Sequence, residues 1–262
     1  MPIRKRLQEE RIRAAAAIRK LDRQTTFVLL SSVFLIFVQF FAGSRRRFLE
    51  VAGDRLPDGL EGLFAWSWWF GIQGISGFLI PVLILLLLFR RSPREIGLGI
   101  GDWRFGLGVS LLYVPFVVLG TWYFSADPTF QQNYPHLQQA AHNWGMLAVY
   151  ELMFLFYWIG WEYLWRGYVL FGTVQTFGVY AIIVQAIPFA ILHATKPPAE
   201  AVLSVVGGVA LGAVVWRCRS FWYAVPVHAV QMLLIDVFCT LRIRTGVTGY
   251  GIGAIAEILS RI

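Results

Sequence analysis

The run VLILLLLF, residues 82–89, decides the fold class, because it holds eight consecutive apolar side chains. A membrane-spanning β-strand alternates apolar and polar residues, so long unbroken runs indicate transmembrane helices instead. The whole chain agrees with this run: 57% of its 262 residues are hydrophobic and 15% are charged, against about 25% charged in a soluble domain. A soluble or disordered chain is therefore excluded. At about 20 residues per span, we expect an all-α, polytopic transmembrane bundle of about 7–8 spans.

The domain organisation follows from the distribution of charge along the chain. Residues 1–24 contain eight Lys or Arg residues among spaced apolar ones, a pattern typical of a basic amphipathic helix on the membrane surface. Residues 25–262 are predicted to form a single transmembrane domain. Its predicted spans are residues 26–43, 64–89, 105–124, 144–172, 179–195, 200–216 and 221–241, with a short final helix within 249–262.

The net charge of +8 fits basic loops that contact anionic lipid, so we expect the lipid bilayer as a partner and no nucleic acid. Residues 125–143 contain no Lys or Arg and are predicted to lie outside the cytoplasm. This places the N-terminus in the cytoplasm of a multi-pass protein of the inner or plasma membrane, although the basic cluster at residues 45–47 then falls on the wrong side. The first apolar run is expected to be retained as a span rather than cleaved as a signal peptide.

Ionisable residues inside spans point to function, because each costs about 2.5–3.5 kcal/mol at the helix centre. Glu162 and Arg166 are four residues apart and share a helix face, which also allows a purely structural ion pair. His193 lies near a helix end, where a local carbonyl or the helix dipole could satisfy it. His228 lies within an apolar span and needs a partner.

One glutamate and two histidines support three kinds of chemistry. They could activate water and polarise a carbonyl, bind zinc with an open position, or relay protons in a transporter. Spacing alone leaves these alternatives open. The two cysteines, Cys218 and Cys239, provide neither a disulfide framework nor a metal motif.

Three segments resemble the CAAX protease and bacteriocin-processing (CPBP, or Abi) family of intramembrane proteases. They are WEYLWRG (161–167), FAILH (189–193) and His228, in that order. The family pattern is Glu-Glu-x-x-x-Arg, Phe-x-x-x-His and His-x-x-x-Asn, each on a transmembrane helix. Residues 95–104 also look like a segment common in bacterial members, so the resemblance covers roughly residues 94–240.

The chain departs from the family pattern at two positions. Trp161 stands where the family has its first glutamate, which is thought to act as the base, and Met232 stands at the asparagine position. Glu162 replaces the missing base only if the helix is rotated or shifted, because adjacent helix positions differ by about 100°. Asp236, eight residues after His228, and Trp161 are considered as supporting residues.

The resemblance implies an intramembrane endopeptidase that cleaves a membrane-anchored peptide or protein near its C-terminus or leader. Glu162 would be the base, His193 would assist it, His228 would polarise the carbonyl and Arg166 would fix Glu162. No cofactor is expected, although a metal is not excluded. The alternatives are an impaired homologue that binds a membrane peptide and, less favoured, a proton-coupled transporter, which would place polar residues in both halves of the chain.

Ser204, Gly208 and Gly212 form a stripe of small residues in the predicted span 200–216. Such a stripe allows the backbones of two membrane helices to approach closely. We therefore expect it to face another span of the bundle rather than lipid.

Overall fold

All regular secondary structure is helical in the computed structural model, which describes residues 3–262. The all-α prediction is confirmed. The chain also contains a π-helical stretch, Tyr163–Val169, which is continuous with the α-helices on either side of it. The helices are α1 (Ile3–Arg19), α2 (Arg23–Ala42), α3 (Arg45–Ala52), α4 (Glu61–Leu88), α5 (Trp103–Ser125), α6 (Pro128–Asn133), α7 (Trp144–Glu162), α8 (Leu170–Phe177), α9 (Ala181–Ile191), α10 (Pro198–Cys218), α11 (Ala224–Thr245) and α12 (Ile252–Arg261).

Six helical segments of the described chain are long and apolar enough to cross a membrane. The predicted spans 144–172 and 179–195 fall together in one of them, Trp144–Ile191, of 48 residues. This segment turns at Gly178, whose φ of 55° suits glycine, so that α9 packs back against α8. With 11 residues, α9 is only about 16 Å long and cannot cross a hydrocarbon core of about 30 Å alone. The predicted count of seven to eight spans is thus not confirmed.

The two terminal predictions have different outcomes. A short final helix exists as α12. At the other end α1 forms as a helix with exposed apolar side chains such as Leu7 and Ile12, while residues 1 and 2 lie outside the described residues. Its location on a membrane surface stays a prediction.

The outer face of α5 shows how the bundle meets lipid. Leu112, Phe116 and Leu119 are each about two-thirds exposed although they are large and apolar. Such a continuous apolar face is stable only next to lipid or another apolar surface. Together with the six apolar segments, this makes the chain an integral membrane protein.

The helices α4 and α7 cross closely just before the polar residues of the site. At Gly160 an added Cβ would collide with the backbone of Gln73 and Gly74, and at Gly77 it would collide with the backbone of Gly160. Only residues without a side chain permit this approach. Glu162 lies two residues after this crossing and is fully buried.

The two glycines of the small-residue stripe on α10 face α9, another helix of the bundle, whereas Ser204 lines a cavity. Ser204, Gly208 and Gly212 are buried, and a Cβ added at Gly208 would lie 3.0 Å from Phe189 Cδ1. Gln185 of α9 strengthens the contact, because its Nε2 donates to the Gly208 carbonyl at 2.9 Å.

Substituting Gly208 by leucine should destabilise the protein, because the added side chain must enter the space held by Phe189. Overpacking of this kind costs about 1–3 kcal/mol. The matched control is Gly207→Leu, since a Cβ there meets nothing within 4 Å and both changes gain the same helix propensity. Thermal unfolding in detergent measures the difference, and equal melting temperatures of the two variants would contradict the packing described here.

Candidate active site

The carboxylate of Glu162 is shared by two basic side chains. Its Oε1 atom accepts a hydrogen bond from Arg166 Nη1 at 3.2 Å and lies 2.6 Å from His228 Nδ1. Glu162 and Arg166 both have fully buried side chains. A buried carboxylate is tolerated only when it is paired and hydrogen-bonded, so these three residues form one electrostatic unit.

The π-helical stretch begins directly after Glu162 and includes Arg166. In a π-helix the backbone hydrogen bonds run from i to i+5, so side chains take up a different angular spacing than in an α-helix. The side chains of Tyr163–Val169, Arg166 among them, therefore do not follow α-helical spacing.

His228 is held in one orientation from two sides. Its ring stacks on Trp158 with centroids 4.3 Å apart and an interplanar angle of 27°, and its Nδ1 contacts Glu162. When His228 is neutral, Nδ1–H donates to the carboxylate, and Nε2 carries the free lone pair. The partner that a buried imidazole in this span needs is therefore Glu162.

His193 lies in the turn just after α9, where its Nδ1–H donates to the Phe189 carbonyl at 2.8 Å. This local carbonyl bond is one of the two structural roles considered for it in the sequence. Because the carbonyl can only accept, Nε2 of the neutral ring is left unprotonated. Both histidines thus offer Nε2 as an acceptor.

Two cavities meet at the histidines. The first, of about 400 Å³, is mainly apolar and lies between α5, α10 and α11. The second, of about 520 Å³, is lined by tryptophans, phenylalanines and several charged groups. The residues that line both cavities are His193, Glu200, His228 and Met232. Glu162 lines neither cavity, whereas Arg166 borders the first.

The two supporting residues considered in the sequence lie in different places. Trp161 lines the second cavity, with its ring centroid 6.1 Å from that of His193, so an indole occupies the position of the family's first glutamate. Asp236 is fully buried on α11 but lines neither cavity. Neither of its carboxylate oxygens has a hydrogen-bond partner among the described residues, and the structure does not bring Asp236 to the cavities that the histidines line.

Sequence reasoning missed Glu200, the one carboxylate that borders either cavity in the described part of the chain. It lies in the first turn of α10. Tyr134 Oη donates to its Oε2 at 2.5 Å, and Lys196 Nζ lies 3.8 Å from its Oε1. Glu200 was visible in the sequence only as the acidic residue that opens a span, since its partner Tyr134 is 66 residues away.

His136 was also missed, because the loop that contains it looked like an ordinary connection. The structure packs this loop onto the bundle: the His136 ring stacks on Trp66 with centroids 5.4 Å apart. Its Nδ1–H donates to the Asn133 carbonyl at 2.7 Å, and its Nε2 accepts from Lys196 at 3.2 Å. Burial, aided by the Lys196 charge, lowers the pKa of His136 to about 3, so this ring is neutral at physiological pH.

Comparison with known protein families identifies the segment that carries this site. Residues 143–234 match the Rce1-like family, described as type II CAAX prenyl endopeptidase Rce1-like. No curated protein and no solved structure matches the chain significantly. The matched segment contains Glu162, Arg166, His193 and His228 and ends just before Asp236.

The fold and the match define a polytopic helical membrane protein with a segment that is similar to the Rce1-like family. The resemblance to the CPBP family predicted from the sequence is confirmed. Because this is a family of proteases, the match supports a hydrolase.

Breaking the buried pair from either side should destabilise the protein strongly. Glu162→Gln or Arg166→Gln leaves one charge without its counter-ion, which costs about 3–5 kcal/mol. The double variant should lose less than the sum of the two single variants, because it leaves no lone charge at the pair. Denaturant titration in detergent micelles measures these changes.

The control for this cycle is Glu50→Gln, which breaks the exposed Arg46–Glu50 pair. A surface pair contributes about 0–1 kcal/mol, so this variant should remain near wild type. Single Glu162 and Arg166 variants as mild as Glu50→Gln would contradict the coupling of the buried charges.

Proposed function

We propose that the protein is an intramembrane endopeptidase that hydrolyses a peptide bond of a membrane-anchored peptide or protein near its C-terminus or leader. The observation that carries this proposal is the contact between Glu162 and His228, at 2.6 Å, beside two cavities that His228 itself lines. A carboxylate that orients an imidazole toward an open space is a recurrent arrangement for general-base chemistry. The family match supports the same reaction class.

In the proposed reaction, Glu162 acts through His228. The oxygen of a water molecule attacks the carbonyl carbon of the scissile bond while His228 Nε2 takes a proton from that water. The imidazolium that forms is stabilised by the Glu162 carboxylate 2.6 Å from its Nδ1. The same proton then passes to the amine nitrogen as the carbon–nitrogen bond breaks, which leaves a carboxylic acid and a free amine. The acid then loses its proton to the amine or to solvent and becomes a carboxylate. Glu162, expected to be the base, thus shares this role with His228, whose ring lies between Glu162 and the cavities.

Arg166 and His193 complete the proposed site. The positive charge of Arg166 offsets the negative charge of Glu162, so the carboxylate can remain ionised in a dry interior. Its guanidinium also lies 4.0 Å from the Phe189 ring centroid, which fixes it beside the cavity. His193 Nε2, on the cavity wall, would accept a hydrogen bond from the water or from a substrate amide.

We propose that this reaction proceeds without a metal cofactor. Among residues 3–262, no group of three or more His, Cys, Asp or Glu side chains is arranged to hold a metal ion. We also place the N-terminus in the cytoplasm of an inner or plasma membrane, on the charge pattern of the loops.

His228→Gln should abolish peptide cleavage with little change in folding, because the amide can still contact Glu162 but cannot take a proton at neutral pH. Loss of a general base lowers the rate about 10²–10⁴-fold. The control is His142→Gln in an exposed loop position, which should keep full activity. Cleavage of a prenylated CAAX-type peptide by purified protein in nanodiscs measures both, and an active His228→Gln variant would remove this residue from the mechanism.

An impaired homologue that binds a membrane peptide is the second candidate, favoured by the Trp161 and Met232 side chains on the cavity walls. Met232→Asn tests it by restoring the polar residue of the family pattern. If the wild type lacks a hydrogen-bond donor for the oxyanion, this variant should gain activity, by up to about 10²-fold. If the wild type cleaves the peptide and Met232→Asn cleaves it at the same rate, Met232 does not impair the enzyme.

A further inference from the structure

Arg45 is a cation without a carboxylate partner at the edge of the second cavity. The cavity is bordered by three basic side chains, Arg45, Arg46 and Lys196. Arg46 pairs with Glu50 at 2.9 Å, and Lys196 lies 3.8 Å from Glu200. Within residues 3–262, no aspartate or glutamate forms an ion pair with Arg45.

The position of Arg45 is fixed by its neighbours rather than by a counter-ion. It is the first residue of α3, directly after the capping residue Ser44. Its guanidinium carbon lies 3.6 Å from the centroid of the Trp66 ring, a cation–π stack. Stacking engages the flat face of the guanidinium and leaves its N–H edge free, and this edge matches a carboxylate in a bidentate fashion.

The wall next to Arg45 does not neutralise it. His136 stacks on the same Trp66 and is neutral, as described above. Glu200 is engaged by Tyr134 and Lys196. Arg45 therefore brings an unmatched positive charge to a cavity whose walls also include His193 and His228.

We propose that Arg45 binds the C-terminal carboxylate of the substrate and so measures the length of the tail released by cleavage. This inference rests on the proposed peptidase function. A peptide whose scissile carbonyl lies at the histidines would extend its short tail through the aromatic cavity and end at the stacked guanidinium. Arg45 is thereby a specificity-determining residue, and the ligand group is a carboxylate at a chain end.

The test uses one prenylated CAAX-type peptide in two forms, with a free C-terminal acid and with a C-terminal amide, and the protein in nanodiscs. The wild type should cleave the acid with a kcat/KM about 10–100-fold higher than the amide, mainly through KM, because a charge-assisted hydrogen bond is lost with the amide. Arg45→Gln should lower the kcat/KM of the acid peptide to that of the amide peptide and leave the kcat/KM of the amide peptide unchanged. Arg45→Lys should retain part of the preference.

Arg47→Gln is the matched control, since Arg47 belongs to the same basic cluster but borders neither cavity. It should keep the preference for the acid. Equal cleavage of acid and amide by the wild type, or an equal loss on both in Arg45→Gln, would overturn the inference while leaving the peptidase function intact. A loss in Arg45→Gln that appears only in nanodiscs of anionic lipid, whatever the peptide end, would assign Arg45 to a lipid headgroup instead and overturn it too.

A binding measurement separates this inference from the peptidase function. Fluorescence anisotropy gives the dissociation constants of both peptides for His228→Gln, with and without Arg45→Gln. If the acid peptide binds more tightly than the amide peptide, and this difference depends on Arg45, the inference is supported. Absence of cleavage by the wild type beside such binding would refute the peptidase function alone. Equal binding of acid and amide would refute the carboxylate site.

Discussion

The Oε1 atom of Glu162 is the point on which the site depends. It is bonded to Arg166 from one side and to His228 from the other, with no solvent exposure of the carboxylate. An ionised group in a membrane interior needs compensation of this kind, because water cannot supply it. The pair therefore serves two purposes at once: it permits the charges to be buried, and it orients an imidazole toward the cavities.

The surrounding fold maintains this arrangement through backbone geometry. The glycine crossing packs α7 closely against α4 just before Glu162, and the π stretch that follows Glu162 carries Arg166. The turn at Gly178 returns the chain as the short helix α9, which ends just before His193. Because α9 has only 11 residues, His193 reaches the cavities from the end of a helix, while His228 reaches them from within α11.

The sequence predicted the class of the fold, because apolar runs and scarce charges leave few alternatives for a chain of this composition. It also predicted Glu162, Arg166, His193 and His228 as candidates, since each is a polar residue in an apolar segment. It could not predict that α9 would be a half-length helix, because residues 179–195 are as apolar as a full span. The roles of Glu200, His136 and Arg45 were hidden for another reason. Each depends on contacts between loops and helix ends that are far apart in the chain, such as Arg45 with Trp66 and Tyr134 with Glu200.

The most direct test of the account is the origin of the oxygen in the product. Purified protein in nanodiscs, with a prenylated CAAX-type peptide in ¹⁸O-labelled water, should release a short peptide and leave one ¹⁸O atom in the new carboxylate of the prenylated fragment, as seen by mass spectrometry. Water attack assisted by the Glu162–His228 unit requires this label. An intact peptide after prolonged incubation, or cleaved product without the label, would contradict the central claim that this membrane bundle is a peptide hydrolase.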